Sequence, residues 1–166
     1  GVRLRYFEEN TPLGTAGSVK HCEAFLDEDF LVISGDSMCD IDLSAAVRFH
    51  REREADATIV LYSVDNPLEY GVTLVNGEGR VTGFIEKPSW SNAFSDTVNT
   101  GIYIFKRECL SLIPSGQPFD FARDLFPMML RTKKRLYGYV SATKWLTELK
   151  VTTFDADGRV LAQDVV

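Results

Sequence analysis

Apolar positions along this chain follow two rhythms. Short runs rich in aliphatic and β-branched residues, Val2 to Phe7, Asp29 to Ser34, Ala57 to Val64 and Asn99 to Phe105, predict strands. Ser18 to Leu26 and Leu43 to Glu54 instead space their apolar residues by three and four, which predicts amphipathic helices. Asp42 stands where a cap for the second helix belongs. Such alternation implies an α/β fold, a mostly parallel sheet with helices on its faces. Gly71 to Lys87 breaks the pattern: apolar and polar residues alternate around Asn76-Gly77-Glu78-Gly79, which predicts an antiparallel hairpin over one face of any site the sheet carries. Val151 to Val160 echoes Val72 to Val81, as two hairpins with one turn type would, without a duplication. Phe119 to Arg131 predicts another helix with Asp120 and Asp124 near its start, in which Pro127 either kinks the helix or begins a new segment.

Composition narrows the class. The 166 residues are 45% hydrophobic, which fits one globular domain, and no linker of low complexity divides them. No apolar run approaches the roughly 18 to 20 residues of a membrane span, so no membrane partner is expected. A formal charge of −6 argues against a nucleic-acid partner. The one basic run, Arg131-Thr132-Lys133-Lys134-Arg135, falls where a helix should end and serves to offset the helix dipole. Cys22, Cys39 and Cys109 form neither a metal motif nor a disulfide framework, which fits a reducing cytoplasm.

Four segments carry candidate chemistry. Glu8-Glu9-Asn10-Thr11-Pro12-Leu13-Gly14-Thr15-Ala16-Gly17 lies between a predicted strand and a predicted helix, where free N–H groups and glycines can receive an anion; an ordinary turn capped by Thr15 or Ser18 is the alternative. Phe30 to Asp36 is an apolar strand ending in Gly35-Asp36, and in open α/β sheets ligands collect beyond such strand ends. A hard carboxylate there suits Mg²⁺ shared with phosphates, whereas Asp40 and Asp42 read as turn and cap residues. Glu86-Lys87-Pro88 offers an acceptor for sugar hydroxyls beside a cation for phosphate. Asn99-Thr100-Gly101 opens the last strand candidate.

In order and spacing these segments resemble the sugar-1-phosphate nucleotidyltransferases, the family that makes nucleotide-activated sugars, from Val2 to about Val140. Tyr70-Gly71-Val72, the hairpin, and Asp120-Phe121 through Asp124-Leu125-Phe126-Pro127 look most like bacterial mannose-1-phosphate guanylyltransferases. The resemblance implies a Rossmann-like, GT-A-like three-layer fold. It implies that Pro12, Leu13, Gly14, Thr15, Ala16 and Gly17 line the nucleotide with Glu9 at the base edge, and that Asp36 binds catalytic Mg²⁺. Gly71, Glu86, Asn99, Thr100 and Gly101 would hold the sugar and Lys87 its phosphate. A carboxylate offers only acceptors, so Glu9 pairs more naturally with the N1–H and N2–H donors of guanine than with uracil or thymine, which favours GTP.

The sequence also departs from that family. Its glycine-rich basic loop, which grips the triphosphate, has no counterpart, so residues 1–140 are expected to be a core lacking its first βα unit. Residues 141–166 diverge but are expected to join the same domain through a hairpin. The second metal-binding Asp is missing after Gly138-Tyr139-Val140, and Glu148, Asp155 or Asp157 are weak substitutes. Two functions stay open: an enzyme-derived fragment, inactive alone, and a non-catalytic nucleotide-sugar-binding or regulatory module. An uncovered sheet edge further predicts a homo-oligomer.

Overall fold

The computed structural model describes residues 3–36, 38–86, 95–142, 145–146, 150–154 and 160–165. Its centre is a sheet ordered β5-β4-β6-β3-β7, with β1 also paired to β6. The strands are β1 (Phe30–Ile33), β3 (Ala57–Ser63), β4 (Gly71–Val75), β5 (Val81–Glu86), β6 (Thr97–Phe105) and β7 (Leu136–Ser141). The α/β class holds, but the sheet's internal pairing corrects the expectation of mostly parallel neighbours. β6 runs against β1, β3 and β4, and β3–β7 is the parallel pair among the described residues. Reversing one long central strand turns its neighbours into antiparallel partners, even though β1, β3, β4 and β7 all point the same way.

Helices cover both faces. α2 (Leu43–Glu52) begins at Asp42, whose carboxylate accepts from Ala45 N at 3.0 Å, so the predicted cap is present. It packs Ala46 against Val60, Ile102 and Ile104 on one face. On the other face Ile59, Leu61, Tyr103 and Phe105 meet a π-helical turn (Phe121–Leu125) and α3 (Phe126–Arg131). Pro127 lies in the first turn of α3, directly after the π turn, so it stands where the α-helical segment begins. Phe121 and Phe126 press against Tyr103 with ring centroids 4.9 and 5.1 Å away. Burying each such ring contributes about 1.5–3 kcal/mol, which fixes the π turn against β6.

Two sequence expectations shift. Residues 3–9 form no strand; Phe7 packs on Phe25 at 5.0 Å and Arg5 lies over the same ring at 4.6 Å, so the apolar alternation there serves an aromatic contact. The first helix, α1, spans Gly14–His21, with a separate 3₁₀ turn at Glu23–Phe25. The basic run ends α3 as expected, and Arg135 then pairs with Glu54 at 2.9 Å. Short strands β2 (Met38–Cys39) and β8 (Trp145–Leu146) pair with each other, and β9 (Lys150–Phe154) pairs antiparallel with β10 (Val160–Val165), while the turn expected between these two lies outside the described residues.

The β4–β5 hairpin crosses the sheet. Its base pairs with β6 at Val72↔Val98, while its tip reaches β7, where Gly138 N donates to Gly79 O at 2.8 Å. A Cβ on Gly138 would lie 2.6 Å from Leu61 Cδ1 and 2.7 Å from Val75 Cγ1, so the crossing needs glycine.

Candidate active site

At the ends of β1 and β6 the backbone bends toward an open cleft. Val60 of β3 alone stands opposite Thr100, Gly101 and Ile102 of β6. Thr100 fills this bulge, with its hydroxyl donating to Val60 O at 2.8 Å, and is buried. Gly101 takes φ +76°, and its carbonyl accepts from Ser34 N at 2.9 Å, which ties β6 to the end of β1. Ser34 Oγ then donates to Asp36 Oδ1 at 2.6 Å, so the turn after β1 presents an exposed carboxylate held by one oxygen, with no partner for the other among the described residues.

The hairpin supplies the facing wall. Gly71 and Glu86 pair across β4 and β5, and a Cβ on Gly71 would lie 3.0 Å from Glu86 Oε2, so glycine leaves room for that carboxylate. A cavity of about 650 Å³ lies against Gly71, Glu86, Asn99, Asp120, Arg123 and Pro127. A second, of about 400 Å³, lies against Ser34, Asp36, Gly71, Glu86, Asn99 and Gly101. A third, of about 230 Å³, adds Thr15 and shares Ser34, Gly101 and Tyr103 with the second. The largest falls within the roughly 300–1,000 Å³ of small-molecule sites.

Asp36, Gly71, Glu86, Asn99, Thr100, Gly101 and Thr15 therefore meet along one groove. Thr100 belongs to it by position, while its hydroxyl is committed to the bulge. Lys87 lies outside the described residues, as do Glu148, Asp155 and Asp157.

The Pro12–Gly17 segment is built differently from the expectation of free amide donors. Ala16 N and Gly17 N both donate to Phe119 O at 3.0 Å, and Phe119 N donates to Leu13 O at 2.8 Å. A Cβ on Gly14, at φ +70°, would lie 2.8 Å from Phe119 O, and one on Gly17 would lie 2.9 Å from Gln117 O. The small residues let residues 117–119 dock on the loop, leaving Leu13, Ala16 and Gly17 buried and Pro12 exposed. Glu9 accepts from Leu13 N at 3.1 Å, and the Ser18 hydroxyl with that N–H holds its carboxyl below the usual range.

Sequence reasoning left several lining residues unassigned, Tyr103, Asp120, Ala122 and Arg123 among them. Tyr103 accepts from Asn99 Nδ2 at 3.0 Å, and burial pushes its phenol up to about 12, so it remains protonated. Asp120, Ala122 and Arg123 line the largest cavity. Asp120 Oδ1 caps the π turn by accepting from Ala122 N and Arg123 N at 2.9 Å, and Oδ2 accepts from Thr15 Oγ1 at 2.9 Å. Burial alone would raise the Asp120 carboxyl, but these bonds and the Arg123 charge outweigh it and hold the group low. The available signal was an Asp opening a helical pattern, which reads as a cap; that it also faces a groove depends on a partner 105 residues away.

Residues 1–147 match the family model for nucleotidyl transferases. This chain belongs to that family. Its resemblance extends to the sugar-1-phosphate members: it is 38% identical to a UTP–glucose-1-phosphate uridylyltransferase of Synechocystis sp., covering 93% of this chain and 43% of the relative. It is 34% identical to a mannose-1-phosphate guanylyltransferase of Mycobacterium tuberculosis, covering 87% and 40% respectively. The crystal structure of HddC from Yersinia pseudotuberculosis superposes with a TM-score of 0.71 at 25% identity, over 82% of this chain and 57% of that one. The chain thus spans about two-fifths of the length of these curated relatives. The sugar-1-phosphate nucleotidyltransferase family and its Rossmann-like fold, expected from four ordered motifs, both stand.

Among the described residues, no group of three or more His, Cys, Asp or Glu side chains forms a ready-made metal site. Asp36, with one oxygen on Ser34 and the other without a partner among the described residues, still suits Mg²⁺ held by a single carboxylate together with phosphates. None of the described helices is long and apolar enough to cross a membrane.

Proposed function

We propose that this groove binds a nucleoside triphosphate, GTP, beside a sugar-1-phosphate, mannose-1-phosphate, for transfer of the nucleoside monophosphate with release of pyrophosphate. The observation that carries this reading is the continuity of the three cavities: Asp36 and Thr15 open onto a shared wall of Ser34, Gly101 and Tyr103, with Glu86 and Asn99 beyond. In this arrangement the sugar lies against Gly71, Glu86, Asn99 and Gly101. Glu86 accepts from its hydroxyls, and the Asn99 amide is oriented by Tyr103 and Gly101 N. The nucleotide lies on the Thr15 side. Mg²⁺, held by Asp36 together with phosphate oxygens, would neutralise charge on the reacting groups. No protein nucleophile is needed, because positioning and charge neutralisation dominate transfer of this kind.

Two further readings stand beside this one. The relative at 38% identity acts on UTP and glucose-1-phosphate by its name, so UTP is the competing base despite the acceptor-only chemistry of Glu9. Arg123 is the cation among the described residues that line the three cavities, and a binding or regulatory module that holds both ligands without turnover is the second reading. A pyrophosphate-release assay with Mg²⁺ separates these readings by pairing GTP with mannose-1-phosphate and UTP with glucose-1-phosphate. Turnover with the GTP pair, lowered about 10²-fold or more by Asp36→Asn, supports the proposal. Binding of both ligands without turnover supports the module, and activity unchanged in Asp36→Asn removes Asp36 from the mechanism.

A further inference from the structure

The segment from Phe119 to Arg123 belongs to both ends of the groove. At one end, Phe119 O takes the Ala16 and Gly17 amides, and Thr15 Oγ1 both donates to Asp120 Oδ2 at 2.9 Å and accepts from Phe121 N at 3.0 Å. At the other end, Asp120, Ala122 and Arg123 line the largest cavity with Glu86 and Asn99. The connection is a single piece of backbone a few residues long, and it runs directly into the π-helical turn at Phe121–Leu125. In that turn Asp120 O accepts from both Asp124 N at 3.1 Å and Leu125 N at 3.0 Å, bonds that span four and five residues. Asp120 O thus shares one four-residue and one five-residue bond, an arrangement that a ligand can bias toward either, and π turns are concentrated at functional sites.

From this geometry we infer that the Thr15–Asp120 hydrogen bond couples the two halves of the groove, so that a ligand in the Glu86–Asn99–Arg123 cavity and a nucleotide on the Thr15 side strengthen each other's binding. The inference rests on the assignment of the two ligands proposed above. A sugar phosphate touching Asp120, Ala122 or Arg123 favours one register of the π turn. Asp120 passes that preference to Thr15, and Phe119 passes it to the amides of Ala16 and Gly17. The loop has no slack to absorb the shift, because Gly14 and Gly17 already bring their backbone against residues 117–119. Coupling between two binding events is reciprocal, so either ligand can serve as the probe. Thr15 and Asp120 act here as positioning residues.

The test is calorimetry on the full chain with a GTP analogue whose α–β bridging oxygen is replaced by methylene, which blocks the transfer, with and without saturating mannose-1-phosphate. The expected ratio of the two nucleotide Kd values is about fivefold or more in the parent protein. Thr15→Ser, which keeps the hydroxyl, preserves the ratio, and Thr15→Val brings it to about 1. A purely structural role for Thr15 would weaken both measurements together and leave the ratio intact, and that result overturns the inference. So does a ratio of about 1 in the parent protein. Failure of the parent to bind either ligand refutes the functional assignment itself and takes this inference with it. A second measurement needs no variant. In hydrogen exchange on the parent protein, mannose-1-phosphate alone should slow the Ala16 and Gly17 amides; unchanged exchange at both, with the sugar phosphate bound, overturns the coupling.

Discussion

Replacing Gly101 by Ala tests how the end of β1 is held. At φ +76° a side chain costs about 1–2 kcal/mol in backbone strain. The new methyl would also lie 2.7 Å from Ser34 Cβ, well inside contact distance, and overpacking of this kind costs about 1–3 kcal/mol. Together these give a loss of about 2–5 kcal/mol, or about 5–15 °C in Tm at this chain length. Function should suffer beyond stability, because Ser34 carries Asp36 through its 2.6 Å hydrogen bond, so metal-dependent turnover or ligand binding should fall even below the melting range. Differential scanning calorimetry reads the first effect and titration with GTP and mannose-1-phosphate the second. Gly35→Ala is the control: nothing lies within 4 Å of its Cβ, and the expected change is within about 0.5 kcal/mol. Adding Ser34→Gly to Gly101→Ala removes the overlap and restores that share of the loss, leaving the strain. A Gly101→Ala protein melting within about 2 °C of the parent would show that neither cost is real.

Other outcomes follow from other parts of the fold. Asp42→Ala removes the acceptor for Ala45 N and should cost about 1 kcal/mol, read as a lower urea midpoint with an unchanged m value. His50 is buried with Nδ1 2.8 Å from Thr58 Oγ1 and Nε2 without a partner among the described residues. Burial first, with Lys106 and Arg51 adding to it against Asp29 and Asp56, holds its imidazole below the ordinary 6.5. The unfolded chain then takes the proton first, so this contribution is complete above about pH 6.5 and is lost as pH falls through the folded value. Urea midpoints between about pH 7.5 and 5.5 should drop less in His50→Leu than in the parent, and equal drops would exclude His50 as the source. Leu31 and Ile33 on β1 are 38% and 52% exposed, so Ile33→Lys should lower any self-association seen by light scattering at high protein concentration.

Much of this architecture is legible in the chain itself because it is local. The β4–β5 hairpin announces itself by alternation on both sides of Asn76 to Gly79, and α2 by its spacing and the Asp at its start. What escapes is what depends on distant partners. Arg3 to Phe7 alternates like a strand, yet it finds Phe25 and no sheet neighbour. The direction of β6 is set by which strands flank it, and nothing in Thr97 to Phe105 records that. The candidate site divides in the same way. Asp36 and Glu86 were readable as carboxylates at the ends of strands, whereas the amides of Ala16 and Gly17 looked free until Phe119, a hundred residues on, took them. Asp120 stood near the start of a predicted helix and caps the π turn there, and only the folded chain adds Thr15 and a cavity to its duties.

The Gly138 crossing gives the hairpin the mechanics of a lever. Its fulcrum is the bare backbone of β7, where Gly138 lies close to Leu61 and Val75 and holds Gly79, and the far end carries Gly71 and Glu86 into the groove. A wedge as small as one methyl at the fulcrum would tilt the whole arm. The placing of Gly71 and Glu86 in the groove can therefore be tuned from β7 at the other edge of the sheet, by substitutions that line none of the three cavities.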